Sequence, residues 1–116
     1  MSYVSEAVRV NFIEREHKVM ELIRQSGITY RMVGVFGSYA REEYKSTSDI
    51  DFCVVVQERP SHEISGSLRE EADLLDADVI FVTEEYFWND MSEFAKNLRK
   101  DFKRIDEKPE VSYKSE

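Results

Sequence analysis

The sequence predicts a small α/β protein, one domain over residues 1–116, built from three or four short strands and flanking helices. Three observations carry this. Tyr30–Phe36, Asp49–Val56 and Ala77–Val82 are short runs rich in β-branched and apolar residues, the composition of strands. The stretches around them space apolar residues by three and four, the helical period. A chain of 116 residues, 41% hydrophobic and 34% charged, with four glycines, two prolines and no linker or repeat, fits one compact unit with a modest core.

A first helix is expected over roughly Glu6 to Gln25, with Val8, Phe12, Ile13, Val19, Met20 and Ile23 on its apolar side and Ser26-Gly27 as its stop. The strand Tyr30–Phe36 is broken by Gly37-Ser38. Tyr39 to Tyr44 predicts a short helical turn, since Ala40, Arg41, Glu42 and Glu43 tolerate helix well. Lys45 to Ser48 is polar loop. In the strand Asp49–Val56, the run Phe52–Val56 predicts burial on both faces. Gln57 to Ser65, with Pro60, reads as loop, and a helix follows over about Ser67 to Leu75. After the strand Ala77–Val82, Thr83 is the expected N-cap of a helix carrying Glu84 and Glu85 in its first turn, interrupted at Asn89-Asp90. The last helix is expected over about Ser92 to Ile105, with Phe94, Leu98, Phe102 and Ile105 on one stripe. Lys96, Arg99, Lys100, Lys103 and Arg104 lie opposite, as a solvated face. Val111–Tyr113 reads as a short edge strand and residues 114–116 as a frayed end.

Composition excludes several classes of function. Sixteen Lys+Arg against 24 Asp+Glu give a formal charge of −8, which argues against direct nucleic-acid binding, because phosphate contact needs a positive surface. The longest apolar run, Phe52–Val56, is far too short to cross a bilayer. The first residues show no basic stretch leading into an apolar core, which predicts no secretory signal. With a single cysteine, Cys53, this points to the cytoplasm.

The chemistry concentrates in Val35-Phe36-Gly37-Ser38-Tyr39-Ala40-Arg41 and Ser48-Asp49-Ile50-Asp51-Phe52. Gly37, at a strand end, lets another group approach the backbone, and Ser38 offers a hydroxyl at the start of a helical turn, together a small phosphate cradle. Asp49 and Asp51 are two apart on a strand, so their carboxylates share a face with Cα atoms about 6.5–7 Å apart. Such hard oxygen donors suit Mg²⁺, which takes one or two carboxylates together with waters and phosphates. A metal pair needs a third carboxylate. Asp78, at the head of the third strand, is the candidate, with Asp76 and Asp73 as close alternatives. Arg41 and Lys45 are candidate phosphate contacts.

This block resembles the signature of the polymerase-β-type nucleotidyltransferase superfamily: Gly-Ser at a strand end, then about ten residues later Asp-x-Asp on the next strand. Within it, Gly37-Ser38-Tyr39-Ala40-Arg41 with Ser48-Asp49-Ile50-Asp51 is most similar to the minimal nucleotidyltransferases, the MntA-type antitoxins paired with HEPN toxins. The resemblance implies the small nucleotidyltransferase fold, α+β, with a short mixed sheet of three to four strands flanked by helices. It implies that Gly37 and Ser38 hold the β- and γ-phosphates of a nucleoside triphosphate, that Asp49 and Asp51 bind Mg²⁺, and that Asp78 completes a site for two ions and helps activate the acceptor. It further implies ATP as substrate, a HEPN-family toxin as partner and a tyrosine hydroxyl as AMP acceptor. Larger relatives add a substrate-binding domain for which this chain has no room. One position departs from the pattern: Glu42 stands where the family commonly has Gly after the Arg, which places a negative charge near the expected triphosphate.

Two other functions compete with this expectation. One has the same fold silence a partner by occlusion with little catalysis, for which Glu42 is the hint; the other has it modify a small molecule as antibiotic-modifying relatives do. The oligomeric state is open between like and unlike chains. His17 and His62 are isolated, without metal-ligand spacing, and Cys53 between Phe52 and Val54 reads as an inert buried thiol. Tyr86, Phe87 and Trp88 read first as core and second as a partner-binding patch.

Overall fold

The computed structural model describes residues 4–107. Four strands, β1 (Met32–Phe36), β2 (Ile50–Val56), β3 (Ala77–Thr83) and β4 (Lys103–Arg104), form one sheet in the order β3-β2-β1-β4. β2 runs parallel to β3 and antiparallel to β1, which in turn runs antiparallel to β4, so the sheet is mixed as expected. Five helices accompany it among the described residues: α1 (Glu6–Gln25), α2 (Gly37–Ala40), α3 (His62–Asp73), α4 (Glu84–Asn89) and α5 (Glu93–Asp101).

Strand alternation divides the sheet into two faces. Val33, Val35, Ile50, Phe52, Val54, Val56, Ala77, Val79 and Phe81 face one way and pack with Phe12, Val19, Met20 and Ile23 of α1 and Leu68 and Ala72 of α3. The opposite face is three rows deep. Met32, Val55 and Val82 form one row, Gly34, Cys53 and Ile80 the next, and Phe36, Asp51 and Asp78 the last. The first two rows lie under Phe87 of α4 and Leu98 of α5. The third row changes character, from apolar to acidic, at the edge of that cover.

Four of these helices, all but α2, start on a side chain that satisfies a free amide. Ser5 Oγ accepts from Val8 N, Ser61 Oγ from Ile64 N, Thr83 Oγ1 from Tyr86 N and Ser92 Oγ from Ala95 N. α1 ends as the sequence predicts, with Ser26 at its C-cap and Gly27 at φ +84°. α3 begins five residues before the expected Ser67. Ser61 caps it, Glu63 sits in its first turn, and Gly66 is simply carried inside the helix with open space beside it. The turn expected over Tyr39–Tyr44 begins earlier, at Gly37, and is over by Ala40.

The largest correction concerns the end of the last helix. α5 stops at Asp101 rather than near Ile105, and Lys103 and Arg104 become an edge strand. The reason lies at Gly34. A Cβ there would run into the Phe102 ring and would lie 2.7 Å from the Lys103 carbonyl, so its absence lets Phe102 lie on the sheet and β4 dock. The free edge of β1 is satisfied in the same step, by Ile105 N on the Val33 carbonyl (2.8 Å) and by Asp106 Oδ1 accepting from Val33 N (2.9 Å). Phe102 and Ile105 therefore belong to opposite core clusters rather than one helical stripe, and the basic helix face is reduced to Lys96, Arg99 and Lys100. The expected strand Val111–Tyr113 lies outside the described residues.

Two glycine substitutions test this packing. Gly34→Ala is expected to lower the urea midpoint by the equivalent of about 1–3 kcal/mol, the usual cost of overpacking. Gly66→Ala, which meets nothing, is expected to raise it by roughly 0.5–1 kcal/mol. Equal midpoints for the two variants would remove Gly34 as the reason that β4 forms.

Candidate active site

β1 leaves the sheet at Phe36, and Gly37 turns the chain with φ +76°, a left-handed conformation that side chains rarely adopt. A Cβ on Gly37 would fall on Asp51 Oδ2, so the Asp51 carboxylate rests directly against this turn. The rest of the Gly-Ser-Tyr-Ala segment is anchored below. Ala40 is buried, and Tyr39 joins Phe12 and Tyr44 in an aromatic cluster with ring centroids 5.7 and 5.1 Å away. Its hydroxyl donates to the buried Glu16 Oε1 at 2.8 Å. Burial first, and then the Glu16 charge, push the Tyr39 phenol well above its ordinary pKa, so it is a structural hydrogen-bond donor. Ser38, half-buried, stays at the surface beside Gly37.

The strand register assembles the acids. Asp51 pairs with Phe36 on one side and with Asp78 on the other. Asp49 lies one residue before β2 and is exposed, near enough for its charge to act on Asp51 but not lining the groove described below. The crowding shows in the titration of Asp51. Burial, and then the charges of Asp78 and Asp49, raise its pKa, while Arg41 pulls the other way. A groove of about 610 Å³ opens here, lined by Asp51 and Asp78 on the sheet, Asp73 and Glu70 on α3, and Phe36 and Phe94.

The alternatives for the third carboxylate separate by geometry. Asp76 sits in a tight turn at φ +55°, its carbonyl bound by Ile50 N and by Arg15. Asp73 lines the groove from α3, and Asp78 alone of the three is in strand register with Asp51. Among the described residues no three His, Cys, Asp or Glu side chains form a ready-made metal cage. The donor set nonetheless suits Mg²⁺, which needs only one or two protein carboxylates, and a cation among these oxygens offsets the burial and the neighbouring charges that together raise the Asp51 pKa.

Arg41 is engaged by Asp101 at 2.7 Å and Glu43 at 3.0 Å, yet stands close enough for its charge to act on Asp51. Lys45 is exposed on its loop and does not line the groove. Glu42 leans the other way. It lines a second cavity of about 620 Å³, between α1 and β4, and its carboxylate is 3.8 Å from Lys103 Nζ. That cavity contains none of Asp49, Asp51 and Asp78, so its size gives it no claim on the chemistry. Cys53 is buried in the second row, its thiol pushed up to about 12 by burial, which leaves it inert as expected. His17 and His62 are exposed.

Sequence reasoning missed Arg15. Its guanidinium donates to the carbonyls of Leu75 (2.9 Å), Asp76 (2.9 Å) and Ser48 (3.5 Å) while lying 4.3 Å over the Phe12 ring. One side chain thus ties the backbone just before Asp49 to the backbone just before Asp78. A signal existed: Arg15 is three residues after Phe12 and four before Val19, on the buried stripe of α1.

Comparison with known proteins bears on the fold and the family. The protein named "Putative protein adenylyltransferase MJ0435" from Methanocaldococcus jannaschii is 34% identical over 74 residues, 57% of this chain and 77% of its own length. A toxin–antitoxin structure with AMP-PNP shares the fold at a TM-score of 0.58 and 23% identity, over 77% of this chain and 70% of the other. So does a chain from the tri-AMPylated Shewanella oneidensis HEPN toxin in complex with MNT antitoxin (TM-score 0.52, 22% identity, 78% of this chain and 67% of the other). The family model described as Nucleotidyltransferase domain matches residues 18–108, which span the Gly37 turn, Asp49, Asp51 and Asp78, and strands β1 to β4, and the chain belongs to that family of enzymes.

Proposed function

We propose that this protein is a Mg²⁺-dependent, cytoplasmic adenylyltransferase that moves AMP from ATP to a tyrosine hydroxyl of a HEPN-family toxin, as the antitoxin of the pair. The observation that carries this reading is the juxtaposition of the Gly37 turn with Asp51 and, in register, Asp78. The name of the methanogen relative and the AMP-bearing toxin complex support the choice of AMP and of acceptor. Glu42, turned toward Lys103, gives the occlusion reading no support.

Each residue then has a task. Gly37 admits the β- and γ-phosphates close to the backbone, and Ser38 donates its hydroxyl to them. Asp49, Asp51 and Asp78 would hold the magnesium, which supplies neutralisation of the triphosphate and of the charge that builds on the leaving pyrophosphate. Asp78, exposed at the groove, accepts the proton of the acceptor hydroxyl. The acceptor oxygen bonds to the α-phosphorus, the bond from that phosphorus to the bridging oxygen breaks, and pyrophosphate departs. Positioning supplies the remainder of the rate.

Mixing the protein with ATP, Mg²⁺ and its HEPN partner should add the mass of AMP to that partner. Asp49→Ala with Asp51→Ala is expected to slow transfer by about 10³-fold or more, since a catalytic metal contributes several kcal/mol and each 1.36 kcal/mol is tenfold. An unmodified partner that is nevertheless neutralised by the double variant would favour occlusion.

The raised pKa of Asp51 has a stability consequence of definite sign. The folded state holds the Asp51 proton more tightly than the unfolded chain does. The metal-free protein therefore loses stability as pH rises from the ordinary carboxylate value through the raised one. Asp51→Asn is expected to melt higher than the natural protein at pH 7 without metal, and the two to converge in acid. Melting curves that coincide at pH 7 would show that this carboxylate is not strained.

A further inference from the structure

From the end of α4, through the turn that follows, to the start of α5, the chain exposes three large apolar side chains: Trp88 (60% exposed), Met91 (71%) and Phe94 (49%). This turn is held rigid. Arg99 donates to the carbonyls of Phe87 (2.7 Å) and Asp90 (2.8 Å), and Ser92 N donates to Asp90 Oδ2 (3.0 Å). Beneath it the buried Phe87 meets both Trp88 and Phe102 edge-on at 4.9 Å. A preorganised surface displaying a tryptophan is what a binding hot spot requires, because little ordering is left to be done on association.

The turn is continuous with the groove. Phe94 lines it and meets Phe36 edge-on at 6.2 Å, and Phe36 is the register partner of Asp51. On the α3 side the groove presents Glu70 and Asp73. Arg69 also lines it, but its Nε is given to the Val79 carbonyl (3.1 Å) and its guanidinium lies 5.4 Å over the Phe81 ring. The groove therefore has an apolar lip on one side and an acidic wall on the other.

We propose that Trp88, Met91 and Phe94 are the docking surface for a polypeptide acceptor, which covers them with apolar side chains and sets Lys or Arg against Glu70 and Asp73, so that its hydroxyl enters between. This rests on the nucleotidyl-transfer reading. A small-molecule acceptor would fit inside the groove and leave the lip wet. A second copy of the chain is disfavoured by charge, since each copy carries −8 and the surface adjoins an acidic wall.

Trp88 is the single tryptophan, so its emission reports occupancy of the surface directly. The probes are two synthetic peptides, Ac-Lys-Lys-Leu-Leu-Tyr-Leu-Lys-amide and the same sequence with Glu for each Lys. The basic peptide is expected to shift Trp88 emission to the blue at least about tenfold more tightly than the acidic one, and to take label from α-labelled ATP with Mg²⁺. Met91→Ser should weaken the basic peptide about tenfold while the thermal shift given by ATP with Mg²⁺ stays put, and Glu70→Gln with Asp73→Asn should erase the preference between peptides. Equal binding of both peptides, or an unmoved Trp88, overturns the proposal. So does emission already blue in the free protein, or a blue shift on concentration with a dimer in sedimentation, since either means the surface is covered by this chain itself. Blue-shifted Trp88 without label would leave the docking surface standing and sink the transfer reading. Label without a shift would do the reverse.

Discussion

The contact between the Gly37 turn and the Asp51 carboxylate depends on the sheet being mixed. β1 ends where β2 begins because the two are antiparallel, and β3 begins at the same end because it is parallel to β2. One C-terminal strand end, continuing into a turn with free amides, thus meets two N-terminal strand ends, each carrying an aspartate. In an all-parallel sheet the Gly37 turn and the aspartates would lie at opposite ends. The proposed transfer needs a glycine turn and acids side by side, and this topology brings Phe36, just before the turn, into one register row with Asp51 and Asp78.

That row carries a cost the remainder of the fold must offset. Three aspartates share an edge, and the middle one is half-buried. Directly behind it on the same face lie Cys53 and Val55, then the apolar cover of Phe87 and Leu98. The backbone leading into the acids is fixed by Arg15, whose charge is delivered to main-chain carbonyls on the far side of the strands rather than to the carboxylates. Had the guanidinium paired with Asp51 instead, the repulsion would vanish and so would the open coordination. The arrangement keeps the acids close while leaving them available, at some expense of stability.

How much of this is visible in the sequence depends on how local the cause is. Asp51 falls at the head of a strand because of the β-branched run after it, and Thr83 caps α4 because of its own hydroxyl, so both are legible from a few residues. The joining of Asp78 to them was legible only as a candidate, since the parallel pairing of β2 with β3 spans α3 and no local pattern sets its register. The end of α5 is not legible locally, because Phe102 and Ile105 fit a helical stripe as well as they fit two faces of a sheet, and the choice is made by the distant Gly34. The start of α3 is hidden because Gly66 and a polar run have the composition of a loop, and only the Ser61 cap marks the helix. Arg15 and Glu16 look like solvent charges, although their spacing from Phe12 and Val19 places both on the buried stripe.

Glu42 shows how backbone conformation can change the meaning of a departure from a family pattern. Read as charge, a Glu in place of Gly beside a phosphate site suggests impaired binding. Its φ of +61° supplies a different reason for the family's glycine: the residue ends α2 in the left-handed region, where a Cβ costs roughly 1–2 kcal/mol. The strain is thus set by the backbone, whatever the charge does. The carboxylate meanwhile reaches Lys103 on β4, an exposed pair at 3.8 Å that contributes little by itself. The contact records where the carboxylate lies, on the β4 side of the turn. With Glu42 drawn toward β4 and Arg41 drawn toward Asp101 on α5, the two charges after the cradle are led to different neighbours, and the positive one remains the one acting on Asp51. The substitution therefore moves its penalty from the electrostatics of the groove, where it would oppose catalysis, to the conformation of a turn, where it subtracts only from stability.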